Sequence, residues 1–230
     1  MAFTDHKAFG FGLRLALAVV LCVGLTACAI APDAPSEHSD VDDREPSALP
    51  AGPVTPNPYT QQRIPVTSEA RALFKQASAA MEAQQWRQAE QLLLEMTEAF
   101  PQLSGAQVNL GLVYLALNEP QRAEQALRRA LDINPQNLDA YNQLALLKRQ
   151  QGDFDSAEHL YQQALAVWPF HAQTHRNLGI LYDLYQGEWE RALLHYRAYQ
   201  QLQEQPEMEM TGWIIDLERR IDSRQTAQTK

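Results

Sequence analysis

Cysteine is almost missing from this chain: 230 residues hold two, Cys22 and Cys28. Everything beyond Cys28 can therefore form no internal disulfide and must be held by an apolar core. Basic residues are also scarce, with 19 Lys and Arg against 28 Asp and Glu and a net charge of −9. A surface of that sign disfavours nucleic acid as a partner. No phosphate-cradling Gly-x-x-x-x-Gly-Lys-Ser/Thr, no His-Glu-x-x-His, no Cys-x-x-Cys and no Gly-x-Ser-x-Gly occurs, so the main signatures of nucleotide, zinc, thiol-redox and serine-hydrolase chemistry are lacking. No cofactor is expected. Long apolar runs are limited to Leu15–Leu25, eleven residues. As a helix that run rises only about 16 Å, whereas a bilayer requires roughly 20 apolar residues.

What the run does have is context. Lys7 and Arg14 precede it and Leu25-Thr26-Ala27-Cys28 follows, the layout of a secretory signal peptide over 1–27. The last four residues resemble the bacterial lipobox: an aliphatic residue, two small ones and a cysteine that receives a diacylglycerol and becomes the new N-terminus. That resemblance implies a lipid anchor on Cys28, with about 0.8 kcal/mol of membrane affinity per buried methylene. Ala29, where an aspartate would favour inner-membrane retention, implies the outer membrane. An ordinary signal peptide cut after Ala27 is the alternative, and a cytoplasmic domain with a failed signal is a third reading. Removal of Asp5, Lys7 and Arg14 with the signal leaves 17 basic and 27 acidic residues, a net −10.

From 28 to 66 the chain carries eight of its thirteen prolines with Asp33, Glu37, Asp40, Asp42, Asp43 and Glu45. Such a segment buries too little apolar surface to offset ordering entropy, so a disordered tether is expected. Its reach as a coil is on the order of 35 Å, rising toward about 110 Å if the prolines hold it extended.

Past the tether a period emerges. Pro101, Pro135 and Pro169 are 34 residues apart, as are Ala89, Ala123 and Ala157. The same step links Ala77, Gly111, Ala145 and Gly179, and also Leu110, Leu144 and Leu178. A unit of 34 with an early small residue, a mid-unit alanine and a closing proline resembles the tetratricopeptide repeat, a helix-turn-helix module. The physics agrees, because Leu110, Gly111 and Tyr114 share one helical face, and Ala123, Leu127 and Ala130 share the next. The expected architecture is an all-α, right-handed α-solenoid of four repeats over 67–206 (70–103, 104–137, 138–171 and 172–206). A capping helix follows at 207–225 and a tail at 226–230. The fourth repeat has one extra residue, placed in the turn of "LYDLYQGEWERALLHY". In the capping segment Trp213, Ile214, Leu217 and Ile221 fall on one face.

Histidine is the only metal candidate. His171 and His175 are four apart, but the period puts one before a helix and the other in a packing slot, so no metal site is expected. A ligand or catalytic site around His175 and Arg176 is the competing enzyme reading. Tyr141, Tyr161, Tyr182 and Tyr196 occupy packing slots and are read as core.

The resemblance implies a non-catalytic protein-binding module in which the first helix of each repeat lines a concave groove. Carried onto this sequence, the groove positions are Val108, Leu112, Leu115, Asn142, Leu146, Arg149, Arg176, Ile180 and Asp183. They suit a helix or extended segment of a partner, with a carboxylate meeting Arg149 or Arg176. The lysine, asparagine and arginine set that clamps acidic chaperone tails is not matched. A lipobox plus repeats is similar in layout to the pilotins that escort a secretin to the outer membrane. A scaffold for cell-wall enzymes fits the same layout.

Overall fold

The computed structural model describes residues 47–62 and 64–229. The expected signal segment, Cys28 and the first part of the tether lie outside the described residues. Among the described residues there are ten α-helices and one π-helical turn, and no strand. They are α1 (Pro58–Gln61), α2 (Ser68–Glu82), α3 (Trp86–Ala99), α4 (Ser104–Ala116), α5 (Pro120–Ile133), α6 (Leu138–Gln150), α7 (Phe154–Val167), α8 (Ala172–Ile180), α9 (Trp189–Gln201) and α10 (Met208–Gln228). The π-helical turn, Leu181–Gln186, continues α8.

Local chemistry sets the helix ends. Thr67, Asn137 and Asp153 accept from the backbone N–H groups of Ala70, Ala140 and Ser156, capping α2, α6 and α7. Pro120 opens α5, where its missing donor costs nothing. Between the two helices of each repeat the chain enters the left-handed region at Gln84, Asn118, Gly152 and Gly187, with φ of 55°, 58°, 79° and 69°. The residue after each closes the helix by donating back to a carbonyl, as Glu119 N does to Tyr114 O at 2.8 Å. In the first three turns that bond spans five residues; in the fourth, Glu188 N to Tyr182 O spans six. The extra residue of the fourth repeat is thus absorbed as π-helical widening at the end of α8, not in the turn where the sequence reading put it.

Four antiparallel pairs follow, α2 with α3, α4 with α5, α6 with α7 and α8 with α9, each packed on the next, and α10 packs on α9. Small residues make this possible. A Cβ on Gly111 would lie 2.7 Å from Leu127 Cγ, and one on Gly179 would lie 2.5 Å from two ring carbons of Tyr196. Ala77 and Ala145 occupy the same slot and are fully buried. Tyr161, Tyr182 and Tyr196 are among the largest fully buried side chains, and Met210, Leu217 and Ile221 of α10 join their cluster.

Polar ladders lock successive repeats. Glu90, Glu124 and Glu158, 34 residues apart, bond respectively to Arg122 at 2.7 Å, to Lys148 at 2.8 Å, and to Arg191 at 2.6 Å and Tyr182 at 2.9 Å. Burial alone would raise the Glu158 carboxyl, but Gln186, Arg191 and Tyr182 hold it below its ordinary value.

Residues 47–62 and 64–66 differ from the disordered tether expected there. Thr55 O accepts from Trp168 Nε1 at 2.9 Å, and Gln62 exchanges amide hydrogen bonds with Asn134, one at 2.8 Å, while also reaching Gln136 at 2.7 Å. Tyr59, Ile64 and Val66 flank a 270 Å³ cavity with Phe74, Met96 and Leu103. The segment is a strap across the loops that join one repeat to the next. Proline content, read as a barrier to folding, also lowers the entropy lost on docking.

Candidate protein-binding groove

The first helices of the repeats come nearest to one another: α4 touches α6 and α6 touches α8, while no two second helices among the described residues are in comparable contact. The array therefore curves with its first helices on the inside. Leu112, Leu115 and Leu146 lie there half-buried, Leu115 against the core of the first two repeats. Ile180 is half-buried and packs on the main core.

Against expectation, Val108 and Asn142 turn inward, away from the groove, and Asp183 is taken up by the last helix. Val108 is 7% exposed and belongs to the core. Asn142, 5% exposed, donates to Leu138 O at 2.9 Å and Thr174 Oγ1 at 2.7 Å and accepts from Asn177 at 3.1 Å, so it brackets two repeats. Asp183 has a side chain only 8% exposed and pairs with Arg220 of α10 at 2.8 Å. Each sits where the neighbouring repeat or the last helix covers it.

Seven Lys and Arg side chains among the described residues are half-buried: Lys148, Arg149, Arg176, Arg191, Arg197, Arg220 and Arg224. Five pair with carboxylates, Glu124, Glu158, Glu218, Asp183 and Glu190 among them. The two without one are Arg149 and Arg176. Their contacts are aromatic, Arg149 over Tyr185 at 5.4 Å and Arg176 over Trp213 at 5.6 Å. Nε and Nη1 of Arg149 are enclosed without a hydrogen-bond partner, and so is the hydroxyl of Tyr161. Burial, then the nearby Tyr185, pushes the Tyr161 phenol up to about 12, although Arg149 pulls the other way.

At the C-terminal end of the groove a cavity of 480 Å³ is lined by Asp183, Leu184, Tyr196, Trp213, Asp216 and Arg220. The last helix thus contributes to the concave surface as well as closing the array. The sequence reading assigned α10 to capping alone; the aromatic at Trp213 amid arginines was the available signal.

The two histidines of the candidate pair, His171 and His175, turn to different partners. His171 Nδ1 meets Thr174 Oγ1 at 2.7 Å, whereas His175 Nδ1 meets His195 Nδ1 at 2.9 Å and its Nε2 meets Pro169 O at 2.8 Å. Burial, with the proximity of His175 and Arg191, pushes His195 down to about 3, and burial also lowers His175. Among the described residues no group of three or more His, Cys, Asp or Glu side chains could hold a metal ion. No helix among them is long and apolar enough to cross a membrane.

These features define an α-solenoid of helix hairpins whose inner face is apolar with unpaired cations. Tetratricopeptide repeat models match residues 74–137 and 136–205, together more than half of the chain, and the chain belongs to that family of protein-interaction repeats. Among solved structures, one described as the functional characterization of Pseudomonas aeruginosa pilF shares 20% identity, with 70% of this chain and 73% of that one covered at a TM-score of 0.60. MamA from Desulfovibrio magneticus RS-1, residues 41 to the end, shares 16%, with 72% and 92% covered at 0.56. At such identities the likeness is one of fold. An uncharacterized protein of Sinorhizobium fredii, y4yS, is 32% identical over 91 residues, 40% of this chain; the chain spans about half the length of that curated relative.

Proposed function

We propose that this chain is a non-catalytic adaptor, anchored through lipid on Cys28 to the periplasmic face of the outer membrane. Its groove takes a helix or extended segment of a protein partner during assembly of an envelope complex. The observation that carries the binding role is the pairing pattern: among the described residues the other half-buried cations have carboxylates, while Arg149 and Arg176, on the first helices of the third and fourth repeats, have none. Burying a cation without a partner opposes folding, so its retention favours a role in binding. Lipidation rests on Leu25-Thr26-Ala27-Cys28, and the outer membrane on Ala29. The layout of lipid anchor, tether and repeats supports the pilotin-like role, escort of a secretin in pilus assembly.

The experiment is to label cells with a palmitate analogue, and to compare secretin multimers in the outer membrane with and without the chain. Label on the wild type and not on Cys28→Ser, with secretin multimers lost in the deletion strain, is expected. Unlabelled wild-type protein would overturn the anchor. Normal secretin assembly in the deletion strain would overturn the pilotin role, and altered cell shape in its place would point to the cell-wall scaffold.

A further inference from the structure

The half-buried Arg149 and the fully buried Tyr161 of the third repeat form a small cluster with Tyr185 of the fourth. Tyr185, which also stacks on Phe154 with centroids 5.1 Å apart, lies over the guanidinium. Arg149 Nε, Arg149 Nη1 and Tyr161 Oη are all enclosed and all unpartnered. The guanidinium nitrogens have no acceptor capacity, and the phenol's O–H is the third donor. Arg149 and Tyr185 both act electrostatically on the Tyr161 phenol, so the unpartnered donors belong to one cluster, and the group that would satisfy a guanidinium there is an anion. The fork of the guanidinium and the aromatic walls of Phe154 and Tyr185 select a planar one, since a carboxylate matches two guanidinium N–H groups in one plane. Tyr185 is 46% exposed and sits on the π-helical turn, so its ring can move aside as the group enters.

We infer that Arg149, with the Tyr161 hydroxyl in the same cluster and Tyr185 as a movable cover, seats one carboxylate side chain of the protein partner. This rests on the groove reading and names the partner's chemistry: an Asp or Glu flanked by apolar residues that lie on Leu146 and Leu112. One acidic residue fits better than an acidic tail, because the chain as a whole carries −9 and repels a polyanion at long range.

The test pans random peptides, one library internal with blocked ends and one with free C-termini, against the full mature chain. Selected peptides are then measured on Arg149→Met, Tyr161→Phe and Leu146→Glu. The expected result is a fixed Asp or Glu between apolar positions in the blocked library. Affinity should fall at least tenfold on Arg149→Met, less on Tyr161→Phe, and be lost on Leu146→Glu. Arg149→Met should also melt about 2–4 °C above the wild type, because it removes a half-buried cation that has no carboxylate partner; an arginine that served the fold alone would melt lower when replaced. Peptides lost on Leu146→Glu but without an acidic residue, or indifferent to Arg149→Met, would overturn the carboxylate seat and leave the groove reading standing. Selection from the free C-terminal library alone would overturn the side-chain source. Peptides indifferent to Leu146→Glu, or no selection at all, would overturn the groove reading and the inference with it.

Discussion

Gly179→Ala tests how closely the helices of the fourth repeat approach. The added Cβ would lie 2.5 Å from both Cδ1 and Cε1 of Tyr196 and 3.3 Å from Cγ, so about 1 Å of separation must be found. The ring cannot rotate away: Tyr196 is 1% exposed, its centroid is 5.7 Å from that of Trp213, and its hydroxyl points at Asp183. Overpacking of this kind costs about 3 kcal/mol, at the upper end of its usual range. Alanine returns about 1 kcal/mol of helix propensity over glycine, which leaves a net loss of about 2 kcal/mol. Gly212→Ala is the control, since nothing lies within 4 Å of its Cβ and α10 should gain about 1 kcal/mol. The two variants should therefore differ by about 3 kcal/mol, or roughly 6–12 °C in melting temperature for a chain of this size. Urea and thermal unfolding followed by circular dichroism read both. A Gly179→Ala protein as stable as the wild type would refute the packing argument, because the slot would then tolerate a methyl group.

Stability should fall between pH 6.5 and 5, before carboxylates protonate. His195 is held at about 3 in the folded state and His175 is lowered too, so the unfolded chain takes up protons that the folded one refuses. The stability is complete above pH 6.5 and is lost as pH drops, by about 2 kcal/mol from His195 alone over that window. His195→Asn should flatten the slope, and a wild-type profile flat from pH 7 to 5 would contradict it. Gln84→Gly should raise stability by about 1 kcal/mol, because a φ of 55° strains any side chain with a Cβ; an unchanged urea midpoint would argue otherwise. Trp168→Ala removes the donor to Thr55 O and should release the strap, seen as faster proteolysis between Ser47 and Val66 with the repeats intact. Unaltered cleavage there would mean that the strap does not depend on this contact.

Much of the fold was legible because packing between helices repeats. Wherever two helices approach closely a small residue must stand, so Ala77, Gly111, Ala145 and Gly179 announced the period, and Ala192, which follows Ala157 by 35 positions where the period is 34, announced the extra residue. Its placement within the last turn of α8 was not legible, since both a longer turn and a wider helix keep the same residue count. The strap escaped because its apolar residues are sparse and its partners distant: Thr55 and Trp168 are 113 positions apart, and composition carries no such pairing. The groove was legible in part. A period identifies equivalent slots, but whether a slot faces solvent depends on what the next repeat presents. Asn142 meets Thr174 and Asn177, and Asp183 meets Arg220, contacts no single helix reveals. Leu112, Leu146, Arg149 and Arg176 have no such cover of opposite charge or matching polarity.

The central claim is that the concave face binds a protein partner, and photo-crosslinking in living cells tests it most directly. A photoreactive residue at Leu112 or Leu146 is compared with one at Leu94, an exposed position on α3, and one at Ile215 on α10. One strong adduct with an envelope protein is expected from both groove positions and none from Leu94. Adducts from Leu94 or Ile215 with none from Leu112 or Leu146 would contradict it and move the binding site to another face.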